Sequence, residues 1–230
     1  MTQAQKAILA AQYVVLDADG TLFDVMDGYA EYFGGLLEAK YDCNKEMAIA
    51  LYLSTAGTTV DKQFEAALNE QVVQFEPSDI DQLVEEIFEL IRTQTEANPF
   101  DDVSLFFKWL EANNKILFLT SGSPTDALVS RLKKLGLFDR FVSVMGSDIV
   151  LKSEEHIKMF AKQIDVSYQD FANNACMIGD GPHDMEIARE SGIPAIGLVR
   201  KQEDATSQAE KMVGAGANHI IQSLEELMST

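Results

Sequence analysis

Six short apolar runs, at 13–16, 116–119, 141–145, 175–178, 195–199 and 219–221, constrain this chain more than any other feature. They carry no polar face, so a strand built from one must be covered on both sides. That is the pattern of a parallel sheet, not of a half-solvated antiparallel one. The covering material lies between the runs. Apolar residues recur at three- and four-residue spacing over 103–113, 124–135, 154–164, 184–191 and 207–215, and Gly136 and Gly192 stand where helices commonly stop. Strands alternating with helices predict an α/β fold, a Rossmann-like, doubly wound parallel sheet.

One stretch breaks the alternation. From 25 to 97 the pattern is helical throughout, clearest at Leu83, Ile87, Leu90 and Ile91, with Ser78-Asp79-Ile80-Asp81 as an N-terminal cap. We read it as a helical domain inserted after the first strand, the α/β core being 1–24 together with 98–230. Its hinges fall near 24–27 and at Asn98-Pro99, where the proline restricts the residue before it. A chain of 230 residues has room for both parts.

An open α/β sheet places its site beyond the carboxyl ends of its strands. There the sequence sets Asp17 and Asp19 after the first run, Thr120 and Ser121 after the second, and Asp180 and Asp184 after the fourth, with Lys152 a few residues past the third. Four converging carboxylates repel one another unless a cation holds them. Hard oxygen ligands favour Mg2+, which also bridges to phosphate oxygens, so the pattern predicts metal-assisted phosphoryl transfer. Asp17, ending its strand, is the candidate nucleophile, and Asp19 the acid and base that serves the leaving alcohol and the attacking water. Gly20 allows a sharp turn that leaves nearby amides free for phosphate oxygens, so Ala18, Gly20, Ser121 and Gly122 are candidate substrate-binding positions. Thr120 can donate its hydroxyl to the phosphoryl group, with Ser121 as the neighbour able to replace it, and Lys152 supplies positive charge.

Those residues carry a family likeness. Asp17-Ala18-Asp19-Gly20-Thr21-Leu22-Phe23-Asp24 resembles the first motif of the haloacid dehalogenase superfamily. Leu117-Phe118-Leu119-Thr120 is similar to the second, Lys152 stands at the third, and Gly179-Asp180-Gly181-Pro182-His183-Asp184 resembles the fourth. The motifs come in the family's order, and the helical insert resembles the α-helical cap of phosphoglycolate-phosphatase-like members. One departure is that Ser153, not proline, follows Lys152. The resemblance implies Mg2+ bound by the Asp17 carboxylate, the Asp19 backbone carbonyl and Asp180, with Asp184 as a further ligand or a partner of the ligands. It implies a phosphatase acting on a small phosphorylated metabolite. A phosphomutase of the β-phosphoglucomutase type, or a noncatalytic binding module on the same fold, are the alternatives.

Within the insert, the stretch Ser54-Thr55-Ala56-Gly57-Thr58-Thr59 followed by Lys62 looks most like a site, and Gly57, Thr58 and Lys62 are its candidate substrate contacts. The 15 acidic residues over 25–97 face only Lys40, Lys45, Lys62 and Arg92, which argues against a leaving group with several extra negative charges. His156 and His219 are read as structural or surface groups. His183 is open between the pocket and solvent, and Trp109 with Phe106, Phe107 and Leu110 is read as core packing.

A net charge of −19 repels nucleic acid and anionic membranes, so neither is an expected partner. The two cysteines, Cys43 and Cys176, form no metal-binding or disulfide pattern. The opening residues are too short and polar for a signal peptide and no run reaches membrane-spanning length, so a cytoplasmic protein is expected. Oligomeric state is not legible.

Overall fold

The computed structural model describes residues 1–55, 58–93, 98–200 and 205–228. Six strands, β1 (Tyr13–Asp17), β2 (Ile116–Thr120), β3 (Phe141–Met145), β4 (Ala175–Gly179), β5 (Ala195–Leu198) and β6 (His219–Ile221), form one sheet in the order β3-β2-β1-β4-β5-β6. Every pairing is parallel. The order reverses between β1 and β4, and a doubly wound sheet opens a crevice at such a point.

Alternate residues of each strand enter opposite cores. Val14 and Leu16 of β1, Leu117 and Leu119 of β2 and Cys176 and Ile178 of β4 pack on one face. Tyr13, Val15, Phe118 and Met177 pack on the other. The first face is covered by α1 (Gln3–Ala10), α6 (Val103–Ala112), α7 (Thr125–Lys134) and α12 (Glu225–Met228). The second is covered by α8 (Glu154–Gln163), α9 (Tyr168–Asn173), α10 (Pro182–Glu190) and α11 (Ala205–Ala215). Double cover is why the strands read as unbroken apolar runs. Trp109 is half-buried beside the buried Phe106, Phe107 and Leu110 of α6, as its spacing indicates.

Four short elements were not legible as periodic segments: α1, α9, α12 and the 3-10 turn Phe138–Arg140. In α1 a reciprocal cap stands in for length. Gln5 N–H donates to the Thr2 hydroxyl, while the Gln5 side-chain oxygen accepts from the Thr2 backbone at 2.7 Å.

Between β1 and α6 the described chain is helical: α2 (Met26–Tyr41), α3 (Lys45–Ser54), α4 (Val60–Glu70) and α5 (Pro77–Thr93). Phe33 stacks on Phe64 at 4.4 Å and lies 5.0 Å from Tyr52, giving these helices an aromatic centre. The chain leaves and re-enters the core side by side. Asp24 N–H donates to the Asn98 carbonyl at 3.0 Å and Phe100 N–H to that of Leu22 at 3.0 Å. No described helix is long and apolar enough to cross a membrane.

Candidate active site

Parallel register brings the chemistry to one sheet edge. Asp17 at the end of β1 stands opposite Thr120 at the end of β2, and β4 delivers Asp180 just past Gly179. Asp184 sits in the first turn of α10 and accepts the Gly181 N–H at 3.1 Å. Two glycines make this closeness possible. Gly20 has φ +84°, and a Cβ there would lie 2.1 Å from Asp180 Oδ2. A Cβ on Gly179 would lie 2.4 Å from Asp184 Cγ. Any side chain at either position would push an acidic residue out of place.

Carboxylate oxygens of Asp17, Asp180 and Asp184 all lie within 4.8 Å of one another. Lys152, buried to 3% exposure, places Nζ 2.5 Å from Asp17 Oδ1 and 2.6 Å from Asp184 Oδ1. Asp17 Oδ2 is buried and has no hydrogen-bond partner among the described residues. Burial, helped by the neighbouring Asp184 and against the pull of Lys152, pushes the Asp17 carboxyl up to about 7. Burial, then Asp17 and Asp184, push Asp180 up as well. Burial opposes the charge on Lys152, but Asp17 and Asp184 outweigh it and hold the ammonium protonated. With all three acids ionised, three carboxylates against one ammonium leave a double negative charge, which a divalent cation would match. The unpaired Asp17 oxygen and the hard oxygen donors fit such an ion.

Asp19, two residues on, is held differently. Its carboxylate accepts from Arg131 Nη1 at 2.5 Å, Ser123 Oγ at 2.5 Å and Ser121 Oγ at 3.3 Å. Arg131 comes from α7 and is buried; its Nη2 donates to the Tyr29 hydroxyl of α2 at 2.5 Å, and its guanidinium lies 5.0 Å from the Phe23 ring centre. Arg131, Tyr29 and Ser123 carried no sequence signal, since their role comes from contacts about a hundred residues apart.

A cavity of about 50 Å³ opens over these groups. Asp17, Asp19, Lys152, Asp180 and the loop Ser121-Gly122-Ser123 line it from the sheet side, and Tyr29, Tyr52, Thr58 and Gln63 from the helical side. The expected substrate contacts divide here. Thr58 faces the cavity, but Lys62 is exposed and does not line it; Gln63, the next residue of α4, does. A helix turns by about 100° per residue, so the stripe that packs inward carries Gln63 and turns Lys62 to solvent. Gly57 lies outside the described residues. Ala18 is fully buried in the core and offers the cavity no side chain.

Thr120 is buried and does not line the cavity. Its hydroxyl lies 2.8 Å from His156 Nδ1, while His156 Nε2 lies 2.8 Å from the Val150 carbonyl. A carbonyl only accepts, so Nε2 carries the proton and Nδ1 accepts from Thr120. Thr120 therefore spends its hydroxyl hydrogen on His156, a buried histidine, instead of aiming it at the cavity as expected. Burial and the nearby Lys152 hold His156 below the usual histidine range, in keeping with a neutral ring. His183 is half-buried, and its Nε2 donates to the Lys152 carbonyl at 3.0 Å, which helps fix that lysine's loop.

The same elements recur in known proteins. A model of the haloacid dehalogenase-like hydrolase family matches residues 11–192, which holds all four carboxylates and Lys152. The chain belongs to that family. The "Probable phosphatase IndB" of Dickeya dadantii (strain 3937) is 26% identical over 187 residues, 80% of each chain. The fold matches that of a "predicted phosphatase" from Clostridium acetobutylicum with a TM-score of 0.77, at 22% identity, over 94% of this chain and 96% of that one. It also matches a haloacid dehalogenase-like hydrolase from Streptococcus pneumoniae with a TM-score of 0.73, at 18% identity, over 95% and 97%. As a member of this hydrolase family the chain is an enzyme. Its cap is the unit formed by α2–α5.

Proposed function

We propose that this enzyme is a Mg2+-dependent phosphatase that hydrolyses a small phosphorylated metabolite through an aspartyl phosphate on Asp17. The observation that carries the reading is the state of Asp17: one oxygen on Lys152, the other unpaired, beside two further carboxylates. Asp17 Oδ2 attacks phosphorus as the ester oxygen leaves, and the leaving oxygen takes the proton of the Asp19 carboxyl. Water then attacks the acyl phosphate, Asp19 takes its proton, and phosphate departs with the Asp17 carboxylate restored. Lys152 holds Asp17 in line and offsets charge at the phosphoryl group. The metal, held by Asp17, the Asp19 carbonyl and Asp180 with Asp184 beside them, would neutralise charge on the phosphoryl oxygens. The cap, proposed as 25–97, closes over the core of 1–24 and 98–230 to exclude water.

A phosphatase panel in Mg2+, run beside Asp17→Asn, tests this. Wild type releases phosphate, and Asp17→Asn loses at least about a thousandfold in kcat. Turnover by Asp17→Asn near the wild-type rate, or full activity in chelator, overturns the mechanism. A phosphomutase would use the same Asp17 but return the phosphoryl group to a second hydroxyl, so the product distinguishes the two.

A further inference from the structure

We infer that the leaving group taken by this site is a small, uncharged, hydroxylated alcohol, because among the described residues the cap presents a hydroxyl-reading pair and no free cation to the cavity. This rests on the phosphatase reading above and narrows it to a substrate class.

Size comes first. A cavity of about 50 Å³ is small, which suits a small leaving group better than a bulky one. Charge comes second. Besides the four acidic and basic groups at the sheet edge, the lining contributes Met26, Val60 and Ile91 as apolar surface and Tyr29, Tyr52, Thr58 and Gln63 as neutral polar groups. Among the described residues the two cations nearest the reacting groups are both engaged, Lys152 by Asp17 and Asp184, and Arg131 by Asp19 and Tyr29. A carboxylate or second phosphate on the leaving group would meet acidic neighbours with no counter-charge to spare.

Hydrogen bonding comes third. Gln63 Nε2 donates to the Tyr52 carbonyl at 3.1 Å, the Thr55 carbonyl at 3.3 Å and the Thr55 hydroxyl at 3.0 Å. Two of these partners are carbonyls that only accept, which fixes the amide orientation. Among the described residues nothing donates to Gln63 Oε1, which leaves that atom for a ligand that brings a donor. Tyr52, 5% exposed, has no hydrogen-bond partner for its hydroxyl among the described residues. Burial, with Asp19 and Tyr29 nearby, keeps that phenol protonated, so it can donate. One acceptor and one donor read a hydroxyl group, which is both. A carboxylate has no hydrogen to give Gln63.

The test compares two esters that differ only there, α-glycerol phosphate with a terminal hydroxymethyl and phosphoglycerate with a carboxylate in its place. In Mg2+ buffer wild type favours α-glycerol phosphate in kcat/KM by at least about thirtyfold, and Asp17→Asn shows the same preference in binding by calorimetry. Thr58→Lys, which adds a cation at a half-exposed lining position, narrows the ratio by about tenfold. Equal or preferred turnover of phosphoglycerate by wild type overturns the inference and leaves the phosphatase reading standing. A ratio unmoved by Thr58→Lys also counts against it. No phosphate release from any ester of a broad panel overturns the phosphatase reading, and this inference with it.

Discussion

Asp17 and Asp19 are two residues apart and meet opposite surroundings. Asp17 ends a buried strand and keeps one oxygen free, whereas Asp19 is ringed by three donors. The difference fits Asp17 as the proposed nucleophile, while the donors around Asp19 fix the orientation of its carboxylate. His156 shows the same economy one layer further in, joining Thr120 of β2 to the Val150 carbonyl before α8. His156→Leu strands the buried Thr120 hydroxyl and frees the part-buried Val150 carbonyl, and at about 1–3 kcal/mol for a buried group left unpaired it costs at least that much. The ring's affinity for a proton is lowered in the folded state, so its contribution is complete above the unfolded histidine value and fades as pH falls. Urea midpoints of wild type and His156→Leu therefore differ most near about pH 7.5 and converge toward about pH 5. A constant gap would place the stabilisation in packing alone. The charges facing the ring are Lys152 and Asp148, of opposite sign.

At the scale of elements, three pieces of chain meet on Arg131: the loop after β1 through Asp19, the cap helix α2 through Tyr29, and α7, which carries the arginine itself. This buried link ties cap to core at the reacting groups. A described cap-to-core ion pair, Arg92 of α5 with Asp126 of α7 at 3.3 Å, lies nearer the surface and contributes little. Tyr29→Phe removes the acceptor of Nη2 and leaves part of a buried guanidinium unpaired. It should lower stability by about 1–3 kcal/mol, read from denaturant midpoints. The same substitution lowers kcat/KM, because Asp19 and the cap lose their shared support; an unchanged kcat/KM would show that Asp19 is held by Ser121 and Ser123 alone.

Across the whole molecule a net charge of −19 surrounds a site proposed to draw in an anion, which makes the local cations and the proposed metal decisive. Metal-free, Asp17 holds a proton to about pH 7 that the unfolded chain has already released. Its stabilising contribution is therefore present at low pH and lost as pH rises through about 7. A metal must displace that proton, so it binds better above this range. At about a hundredfold excess over Kd, Mg2+ adds about 2.7 kcal/mol. For a chain of this length that raises Tm by about 5–10 °C. The gain, followed by thermal unfolding with and without Mg2+, is largest above about pH 7 and small near about pH 5. Asp180→Asn abolishes it at every pH. A Tm that ignores Mg2+ throughout would remove the metal from the site.

The strands, their parallel sheet and the helical insert were legible because each has a local cause. A strand buried on both faces must be continuously apolar, and a helix that packs must repeat at three and four residues. The carboxylate cluster was legible for the same reason, since a strand's end is visible in the sequence and parallel strands bring their ends to one edge. What lay beyond local pattern was the choice of partner. The stretch 58–62 pointed to Lys62, and packing of α4 turned Gln63 inward instead; Thr120 ended its strand as expected, and a histidine 36 residues away took its hydroxyl. Arg131 reached Asp19 across 112 residues, with no feature of α7 to announce it. Local order is set by neighbours in the chain, so the sequence alone determined the elements and where the acids gather. Which side chains finish the site depends on helix rotation and on contacts between distant segments, and only the assembled tertiary structure decides those.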